Sequence, residues 1–250
     1  MRRYWIPKEA LQGDEVVLRG DVLHHIRDVC RLHAGAKFEV IVEGGQAHLV
    51  EVTSESKQES RARVLETRKI PEIPKPHIHL VMSVPRFPVF EAVVEKAVEL
   101  GVAAIHPCFS DFSFIRKQED VFQKKRARFE KIVVSATQQS GRGDLMPIHE
   151  PVALEQRLKT FNQHGRAAGL FAYEGSAVLS AKQGLSRVQE STPDEVWVFV
   201  GSEGGFSDRE VELFQAAGLK PVTLGAQVLR VETACVALVS IIKYDFDLMR

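Results

Sequence analysis

The segment VGSEGGFSDREVE, residues 200–212, contains three glycines within the five positions 201–205, and those five positions hold a single carboxylate, Glu203. Glycine lets a backbone turn sharply and approach a ligand closely, and a glycine-rich loop before a helix often binds phosphate. The spacing Gly-x-x-Gly-Gly at 201–205 matches neither the Walker sequence nor the dinucleotide fingerprint. Glu203 would also repel an anion. We therefore expect this loop to hold a neutral or cationic ligand through its backbone groups.

A second segment, VTLGAQVLRVETACVALVSII at residues 222–242, begins as a strand, turns at Gly225 and continues as an apolar helix. Arg230, Glu232 and Thr233 lie at the start of that helix, before its apolar body. One interpretation is a functional site at the mouth of the helix. The other is a structural Arg–Glu ion pair near a helix end, and the residues alone leave both open.

The elements around these segments indicate an α/β domain. Ser207 and Glu210 form a capping box, which predicts a helix over 208–217 that stops before Gly218. The runs AAGLFAYE and EVWVFV are almost continuously apolar, which is typical of parallel strands buried on both faces. Two further runs, HIHLVMSV and VAAIHPCF, flank the helical pattern VFEAVVEKAVELG. Strands that alternate with helices predict a parallel sheet.

The first seventy residues have a different sequence pattern, with several short strands and few helices. Short strand patterns at 15–19, 37–43, 46–53 and 62–67 surround one helical pattern at 21–32, and Gly44-Gly45 marks a hairpin. The proline-rich segment RKIPEIPKPHIHL then interrupts the pattern. We expect two domains, a small β-rich one over 1–72 and the α/β domain over 77–250.

Charge is balanced over the 250 residues, but it is unevenly distributed. Residues 116–142, where we expect a long helix over 118–139, hold eight Lys or Arg against three acidic residues. Such a cluster suits a polyanion, although a solvated helix face is the alternative. The three cysteines form no C-x-x-C pair, the segment MRRYWIPKEA lacks the apolar region expected of a secretory signal, and the longest apolar run is too short to cross a membrane. These features predict a cytoplasmic protein without a metal site.

Taken together, the two C-terminal segments resemble the signature of the RsmE-type 16S ribosomal RNA uridine-N3 methyltransferases of the SPOUT superfamily. The segments RRYWIP, EKAVELGVAAIHP and QQSGR are similar to further parts of that family, in the same order along the chain. Ser202 departs from the pattern, since the family usually has proline there. The resemblance implies a small PUA-like β-barrel followed by an α/β domain with a trefoil knot, and a knot is rare among folds.

The resemblance also implies function. The cosubstrate would be S-adenosylmethionine, a sulfonium cation, the partner would be 16S RNA or the small ribosomal subunit, and the enzyme would be a homodimer. Arg230, Glu232 and Glu203 are the expected catalytic residues: Arg230 would stabilise charge or orient the substrate, and either glutamate could accept the proton, although Glu232 could instead only orient Arg230. Donor binding is expected from three loops, comprising Phe171, Ala172, Tyr173, Glu174, Val200, Gly201, Glu203, Gly204, Gly205, Leu224, Gly225, Val228, Leu229, Arg230 and Thr233.

RNA binding is expected from basic and amide side chains in both domains, namely Arg2, Arg3, Arg27, Arg31, Lys37, Lys124, Lys125, Arg128, Gln139 and Arg142. Two alternative functions remain open at this point. One is a SPOUT methyltransferase for another RNA target, either transfer RNA or a ribose hydroxyl. The other is a non-catalytic RNA-binding factor in ribosome assembly.

Overall fold

The computed structural model describes residues 2–115, 119–175 and 179–249. Arg116 and Lys117, which belong to the basic segment 116–142, lie outside the described residues. The chain divides into two compact units: the first comprises Met1–Glu72 with Val134–Leu145, and the second comprises Ile73–Val133 with Met146–Arg250. Within the described residues, no helix is both long and apolar enough to span a membrane.

The first unit is built on a six-stranded sheet in the order β1-β4-β5-β6-β3-β2. Strand β1 pairs with β4 in parallel, and the other pairs are antiparallel. The side chains that form the core of this unit, including Phe38 and Val50, are completely buried. Strand β4 is buried at every position from Phe38 to Val42, so both of its faces are covered. The strands are β1 Arg3–Ile6, β2 Leu11–Gln12, β3 Glu15–Leu18, β4 Lys37–Val42, β5 Gln46–Glu55 and β6 Ser60–Lys69.

The helix predicted over 21–32 is wrong in its length and regularity. A 3-10 turn at Lys8–Ala10 precedes helix α1, Gly20–His24, which continues as a π-helical turn over His25–Val29. Arg31 has φ +52°, a left-handed conformation that a right-handed helix cannot contain. The wider turn still buries Ile26 in the core of the first unit. The spacing of apolar residues over 21–32 therefore indicated which side chains are buried, but it did not indicate how far a regular helix extends.

The segment 134–145 belongs to the first unit, although it begins within a helix of the second. The Gln138 Oε1 atom accepts a hydrogen bond from the Trp5 N–H at 3.0 Å. Arg3 donates from Nη1 to the Gln139 carbonyl at 3.2 Å and from Nε to Glu39 at 2.9 Å. Two segments that sequence analysis singled out separately, RRYWIP and QQSGR, therefore meet at strand β1.

The second unit contains a seven-stranded sheet in the order β11-β13-β10-β12-β7-β8-β9, and every recorded pairing is parallel. All five residues from Val196 to Val200 are buried, which confirms the prediction of strands covered on both faces. The strands are β7 His77–Ser83, β8 Ala104–Phe109, β9 Val152–Ala153, β10 Ala167–Ala172, β11 Leu179–Ser180, β12 Glu195–Val200 and β13 Lys220–Thr223.

In the part of the chain that the structure describes, seven helices accompany this sheet, and one predicted helix needs correction. The single helix predicted over 118–139 is two helices, interrupted at Lys124 and Lys125. The interruption brings the rings of Phe122 and Phe129 to 5.1 Å, whereas seven residues of continuous helix would separate them by roughly 10 Å. The helices are α2 Phe87–Glu99, α3 Glu119–Gln123, α4 Arg126–Ser140, α5 Leu154–Gln163, α6 Ala181–Glu190, α7 Asp208–Ala216 and α8 Val231–Asp245.

Candidate functional site

A cavity of about 660 Å³ lies where three neighbouring parallel strands of the second unit end. Strands β10, β12 and β13 finish at Ala172, Val200 and Thr223, and their parallel pairing places these ends at one edge of the sheet. Ligands of open α/β sheets commonly bind outside the carboxyl ends of the strands. The loops that follow these three strands supply most of the cavity wall.

The glycine loop after β12 is folded tightly on itself. The Gly205 N–H donates to the Ser202 carbonyl at 2.9 Å, and Gly205 has φ +71°. A Cβ atom at Gly201 would lie 2.8 Å from the backbone of Gly205, closer than real Cβ contacts come. Glycine is therefore required at both ends of this turn, one for close approach and the other for its backbone conformation.

The loop is anchored on its C-terminal side by the predicted capping box of α7, which the structure confirms. The Ser207 hydroxyl accepts from the Glu210 N–H, and the Glu210 carboxylate accepts from the Ser207 N–H at 3.0 Å. Glu210 is almost completely buried, and its second oxygen accepts from the Asp111 N–H at 2.8 Å. One carboxylate thus ties the start of α7 to the loop that follows β8.

Glu203 is held at the start of a different helix. Its Oε1 atom accepts a hydrogen bond from the backbone N–H of Arg86 at 3.3 Å. Arg86 is the N-cap residue of α2, where the helix dipole favours a negative charge. The carboxylate therefore faces a positive helix end, and both Glu203 and Arg86 line the cavity.

Arg230 and Glu232 lie together at the cavity wall, at the beginning of α8. Neither side chain makes a hydrogen bond or an ion pair with any residue that the structure describes. The alternative of a structural Arg–Glu pair is therefore wrong for this conformation. An exposed guanidinium without a carboxylate partner is available to a ligand, and it presents a fork of donors that stays charged.

Most of the residues predicted for donor binding line this one cavity, but two do not. Phe171 is fully buried in the core, where its ring stacks on Phe214 with centroids 4.4 Å apart. Thr233 is exposed on α8 outside the cavity. Arg86 was not predicted from the sequence, although it follows the end of β7, where side chains near the carboxyl ends of strands often meet a ligand. Other lining residues that were missed are Val89, Ser202, Phe206, Val222, Thr223, Gln227, Val231 and Ala234.

The cavity suits a cation that carries an apolar ring. Three carboxylates, from Glu174, Glu203 and Glu232, line it together with two guanidinium groups and several aliphatic side chains. The carboxylates outnumber the cations by one, which favours a ligand with a net positive charge. Among the described residues, no group of three histidine, cysteine or acidic side chains could hold a metal ion.

The residues predicted to bind RNA are spread over both units. Three of those in the first unit are exposed: Arg2, Arg31 and Lys37. The other three arginines among them form ion pairs with acidic residues: Arg27 with Asp28, Arg3 with Glu39, and the buried Arg142 with Asp144. In the second unit, Arg128 donates to Glu91 at 2.6 Å, and the Lys125 Nζ atom lies 5.8 Å from the ring centroid of Phe87. Lys124 is exposed, with no side-chain partner among the described residues.

Comparison with known proteins accounts for both units. A family model described as an RNA methyltransferase domain matches residues 71–243, and one described as an RNA methyltransferase PUA domain matches residues 18–65. The chain is 32% identical to ribosomal RNA small subunit methyltransferase E of Aquifex aeolicus, covering 94% of this chain and 96% of the relative. It is 29% identical to the Bacillus subtilis protein of the same name, covering 100% and 99%.

A solved structure gives the same result. The ribosomal RNA small subunit methyltransferase E of Neisseria gonorrhoeae, bound to S-adenosyl methionine, superposes with a TM-score of 0.84 at 26% identity, covering 98% of this chain and 97% of that one. The family models, the full-length relatives and the shared fold agree with the resemblance seen in the two C-terminal segments. The chain belongs to the ribosomal RNA small subunit methyltransferase E family, a family of RNA methyltransferases with an N-terminal PUA domain.

Proposed function

We propose that this protein transfers a methyl group from S-adenosylmethionine to N3 of a uridine in 16S ribosomal RNA. The observation that carries the proposal is the unpartnered Arg230 guanidinium at the wall of a cavity whose carboxylates favour a cationic ligand. The names of the relatives support the substrate class, and the cosubstrate named for the Neisseria gonorrhoeae structure supports the donor.

The cavity residues divide the binding task. When bound, the donor supplies an electrophilic methyl group on a positively charged sulfur. The glycine loop would hold it through backbone groups, because Gly201 and Gly205 carry no side chain that would keep a ligand away from the backbone. Aliphatic residues such as Leu224 and Leu229 would contact its adenine ring, and the carboxylates would balance its charge. No lysine is needed, since the loop binds no phosphate.

The uracil N3 carries a weakly acidic proton between two carbonyl groups, and that proton must leave as N3 forms its new bond to the methyl carbon. The bond between that carbon and the donor sulfur would break in the same step, and the donor would leave as a neutral thioether. We propose Glu232 as the proton acceptor, because its carboxylate has no hydrogen-bond partner among the described residues, whereas Glu203 is engaged by the Arg86 N–H. Arg230 would stabilise the negative charge that develops on a uracil carbonyl oxygen. Holding N3 beside the methyl group contributes the rest of the acceleration.

The same proposal includes a homodimer. One face of α8 is half-buried or exposed and mainly apolar, and Tyr244 on that face is 80% exposed. Val228, 75% exposed, lies at the cavity wall just before α8. Apolar exposure that continues from a helix to the edge of a ligand site is typical of a subunit interface. The face comprises Val236, Ala237, Ser240, Ile241 and Tyr244.

Further parts of the proposal concern chain path and location. The proposal includes a PUA-like barrel over 1–72 and a knotted methyltransferase domain over 77–250. It also includes RNA contacts from the basic residues named in the sequence analysis, and action in the cytoplasm. Strand β13 follows β12 in the chain, but β10 lies between these two strands in the sheet. The chain therefore crosses over β10, and this crossing supports the knotted path.

The test is methyl transfer to small ribosomal subunits from cells that lack this protein. With labelled donor, label should enter 16S RNA, and nucleoside mass spectrometry should identify 3-methyluridine. Label in transfer RNA or in ribose 2′-O-methyl groups would favour another SPOUT activity. RNA binding without donor binding by calorimetry would favour a non-catalytic assembly factor, and either result would overturn the proposal.

A further inference from the structure

Two exposed aromatic side chains lie beside the donor cavity and have no role in the site described above. Phe112 is 45% exposed and Phe114 is 58% exposed, both in the loop after β8. Large apolar side chains left in water at the edge of a ligand site commonly mark a binding surface. We call these two rings together with Arg86 the aromatic rim.

Both rings are attached to residues that line the cavity. Arg86 places its guanidinium carbon 4.9 Å from the centroid of the Phe114 ring. A Cβ atom at Gly204 would lie 2.9 Å from Cβ of Phe112 and 3.2 Å from Cγ, so that ring packs directly on the glycine loop. The aromatic rim therefore borders the cavity from two sides, through α2 and through the glycine loop.

The loop that carries the rings is held by a dense set of hydrogen bonds. The Phe114 N–H donates to the Val84 carbonyl at 3.0 Å, and the Ser202 hydroxyl donates to the Phe112 carbonyl. Asp111 receives the Ser207 hydroxyl at 2.6 Å and donates its N–H to Glu210. Rings on so well-anchored a loop lose little conformational freedom when they bind a partner.

The chemistry of the rim selects its occupant. Exposed aromatic rings beside a cationic side chain are the combination that binds single-stranded nucleic acid, because each base can stack on a ring while the cation attracts the backbone. Methyl transfer to N3 requires a base that is not paired, since N3 lies on the pairing edge.

We infer that the aromatic rim, Arg86 with Phe112 and Phe114, binds unpaired bases of the substrate RNA and holds the target uracil at the donor cavity. The inference rests on the proposed function. It assigns substrate positioning to side chains of the loop after β8, apart from the donor-binding loops. It also assigns Arg86 a second role, next to the backbone hydrogen bond that it gives to Glu203.

The first experiment compares Phe112→Leu, Phe114→Leu and the double variant with Phe112→Tyr and Phe114→Tyr. Leucine keeps an apolar side chain without a ring, and tyrosine keeps the ring. Each Leu variant should lower single-turnover methylation of unmodified small subunits at limiting RNA by about fivefold to a hundredfold, the range of one stacked base. The donor Kd should stay within about twofold, because stacking serves the RNA. The Tyr variants should recover activity, and thermal melting confirms that each variant is folded.

The second experiment is independent of turnover. A single-stranded oligouridylate that contains 5-iodouridine is irradiated on the wild-type protein, and the crosslinked peptides are mapped by mass spectrometry. Crosslinks at Phe112 or Phe114 that disappear in the Leu variants support the inference, even if small subunits prove not to be the substrate. Crosslinks confined to other residues overturn it.

Two further outcomes count against the inference. If the wild-type enzyme methylates small subunits and the double Leu variant does so equally well, the rings do not position the base. If Phe114→Leu changes the oligomeric state in sedimentation, a second copy covers the rings, and the rim is a subunit interface instead. A wild-type protein that transfers no methyl group to any RNA contradicts the proposed function and leaves crosslinking to decide on the rim.

Discussion

The Glu203 carboxylate receives the backbone N–H of Arg86 at 3.3 Å, and this contact joins the glycine loop to the N-terminus of α2. A negative charge at a helix N-terminus is stabilised by the helix dipole and by the free N–H groups there. The contact explains why a ligand loop can carry a carboxylate where phosphate-binding loops carry lysine. Glu203 fixes the loop and adds negative charge beside the cavity.

We expect Glu203→Ala to weaken donor binding by roughly two- to fivefold, since a charge at a helix N-terminus contributes about 0.3–1 kcal/mol. Glu203→Gln keeps an acceptor for the Arg86 N–H but loses the charge, so it should lie between the wild type and the Ala variant. Calorimetric titration with S-adenosylmethionine measures both. Equal affinities for the wild type and the Ala variant would show that the contact does not shape the loop.

Substitution of Arg230 should separate donor binding from the methyl-transfer step. The Arg230→Ala variant should lose about 100- to 1000-fold in methyl transfer, the usual cost of one preorganised donor to a developing negative charge. Its donor Kd should stay within about twofold of the wild type. Arg230→Lys should recover only part of the rate, because an ammonium group lacks the guanidinium fork.

The control for Arg230 is Arg187→Ala, since Arg187 is an exposed arginine on α6 outside the cavity. That variant should transfer methyl groups at the wild-type rate. Unchanged turnover in Arg230→Ala would remove its assigned role, and a large loss of donor affinity would move Arg230 from the substrate to the donor.

Two neighbouring cations of the basic segment 116–142 should differ in how much they contribute to RNA binding. Lys124 has no side-chain partner among the described residues, whereas Arg128 is bound by Glu91. Lys124→Gln should weaken RNA binding and reduce the slope of log K against log salt by about one unit, as for one lost phosphate contact. Arg128→Gln should change that slope less. If neither variant changes the slope, this surface is only solvated.

The parts of the fold that follow local rules could be predicted from sequence, and the parts that follow tertiary packing could not. The capping box of Ser207 and Glu210 satisfies backbone groups within four residues, so its pattern is visible in the chain. The interruption at Lys124 is not visible, because it is set by the packing of Phe122 and Phe129 against Phe90. The same holds for Phe171, whose apolar strand pattern cannot separate a core ring from a residue that lines the cavity.

The glycine loop could be singled out from the sequence because glycines at this spacing have few structural uses. The aromatic residues beside it could not, because exposed aromatic residues have many uses. Gly201 and Gly205 are required by backbone geometry, which the spacing already indicated. Arg86 and Phe114 come from a different part of the chain, and only the parallel order of the strands brings them to the cavity. Family resemblance supplied the chemistry of the donor, which no local pattern states.

A chain of buried side chains at the other end of the sheet gives the last prediction. Arg157 donates from Nη1 to Nδ1 of His106 at 3.3 Å, and Nε2 of His106 lies 2.9 Å from Nδ1 of His79. Because an arginine can only donate, His106 accepts on Nδ1 and donates from Nε2, so both rings are neutral. His79 can then donate from Nε2 towards Glu195, whose carboxylate is 3.7 Å away and also contacts His164.

Burial lowers the pKa of both rings. At His79 the Glu195 carboxylate opposes the shift, and neighbouring histidines add to it. The pKa of His79 falls from 6.5 to about 4, and that of His106 falls to about 2 beside His149 and Arg157. In the unfolded chain these groups bind protons below about pH 6.5, whereas in the folded protein they do not until a much lower pH. Stability is therefore complete above pH 6.5 and falls as the pH drops towards 4.

We expect the free energy of unfolding to decrease by roughly 3 kcal/mol between pH 6.5 and 4 from His79 alone, since one pKa unit corresponds to about 1.4 kcal/mol. His106→Gln should reduce this acid sensitivity, because an amide can accept from Arg157 and donate to His79 without titrating. The matched control is His25→Gln, at an exposed histidine of the first unit that pairs with no carboxylate among the described residues, and it should show the pH profile of the wild type. Urea unfolding at pH 7.5, 6 and 4.5 measures all three proteins, and equal profiles for the wild type and His106→Gln would exclude His106 as a source of acid sensitivity.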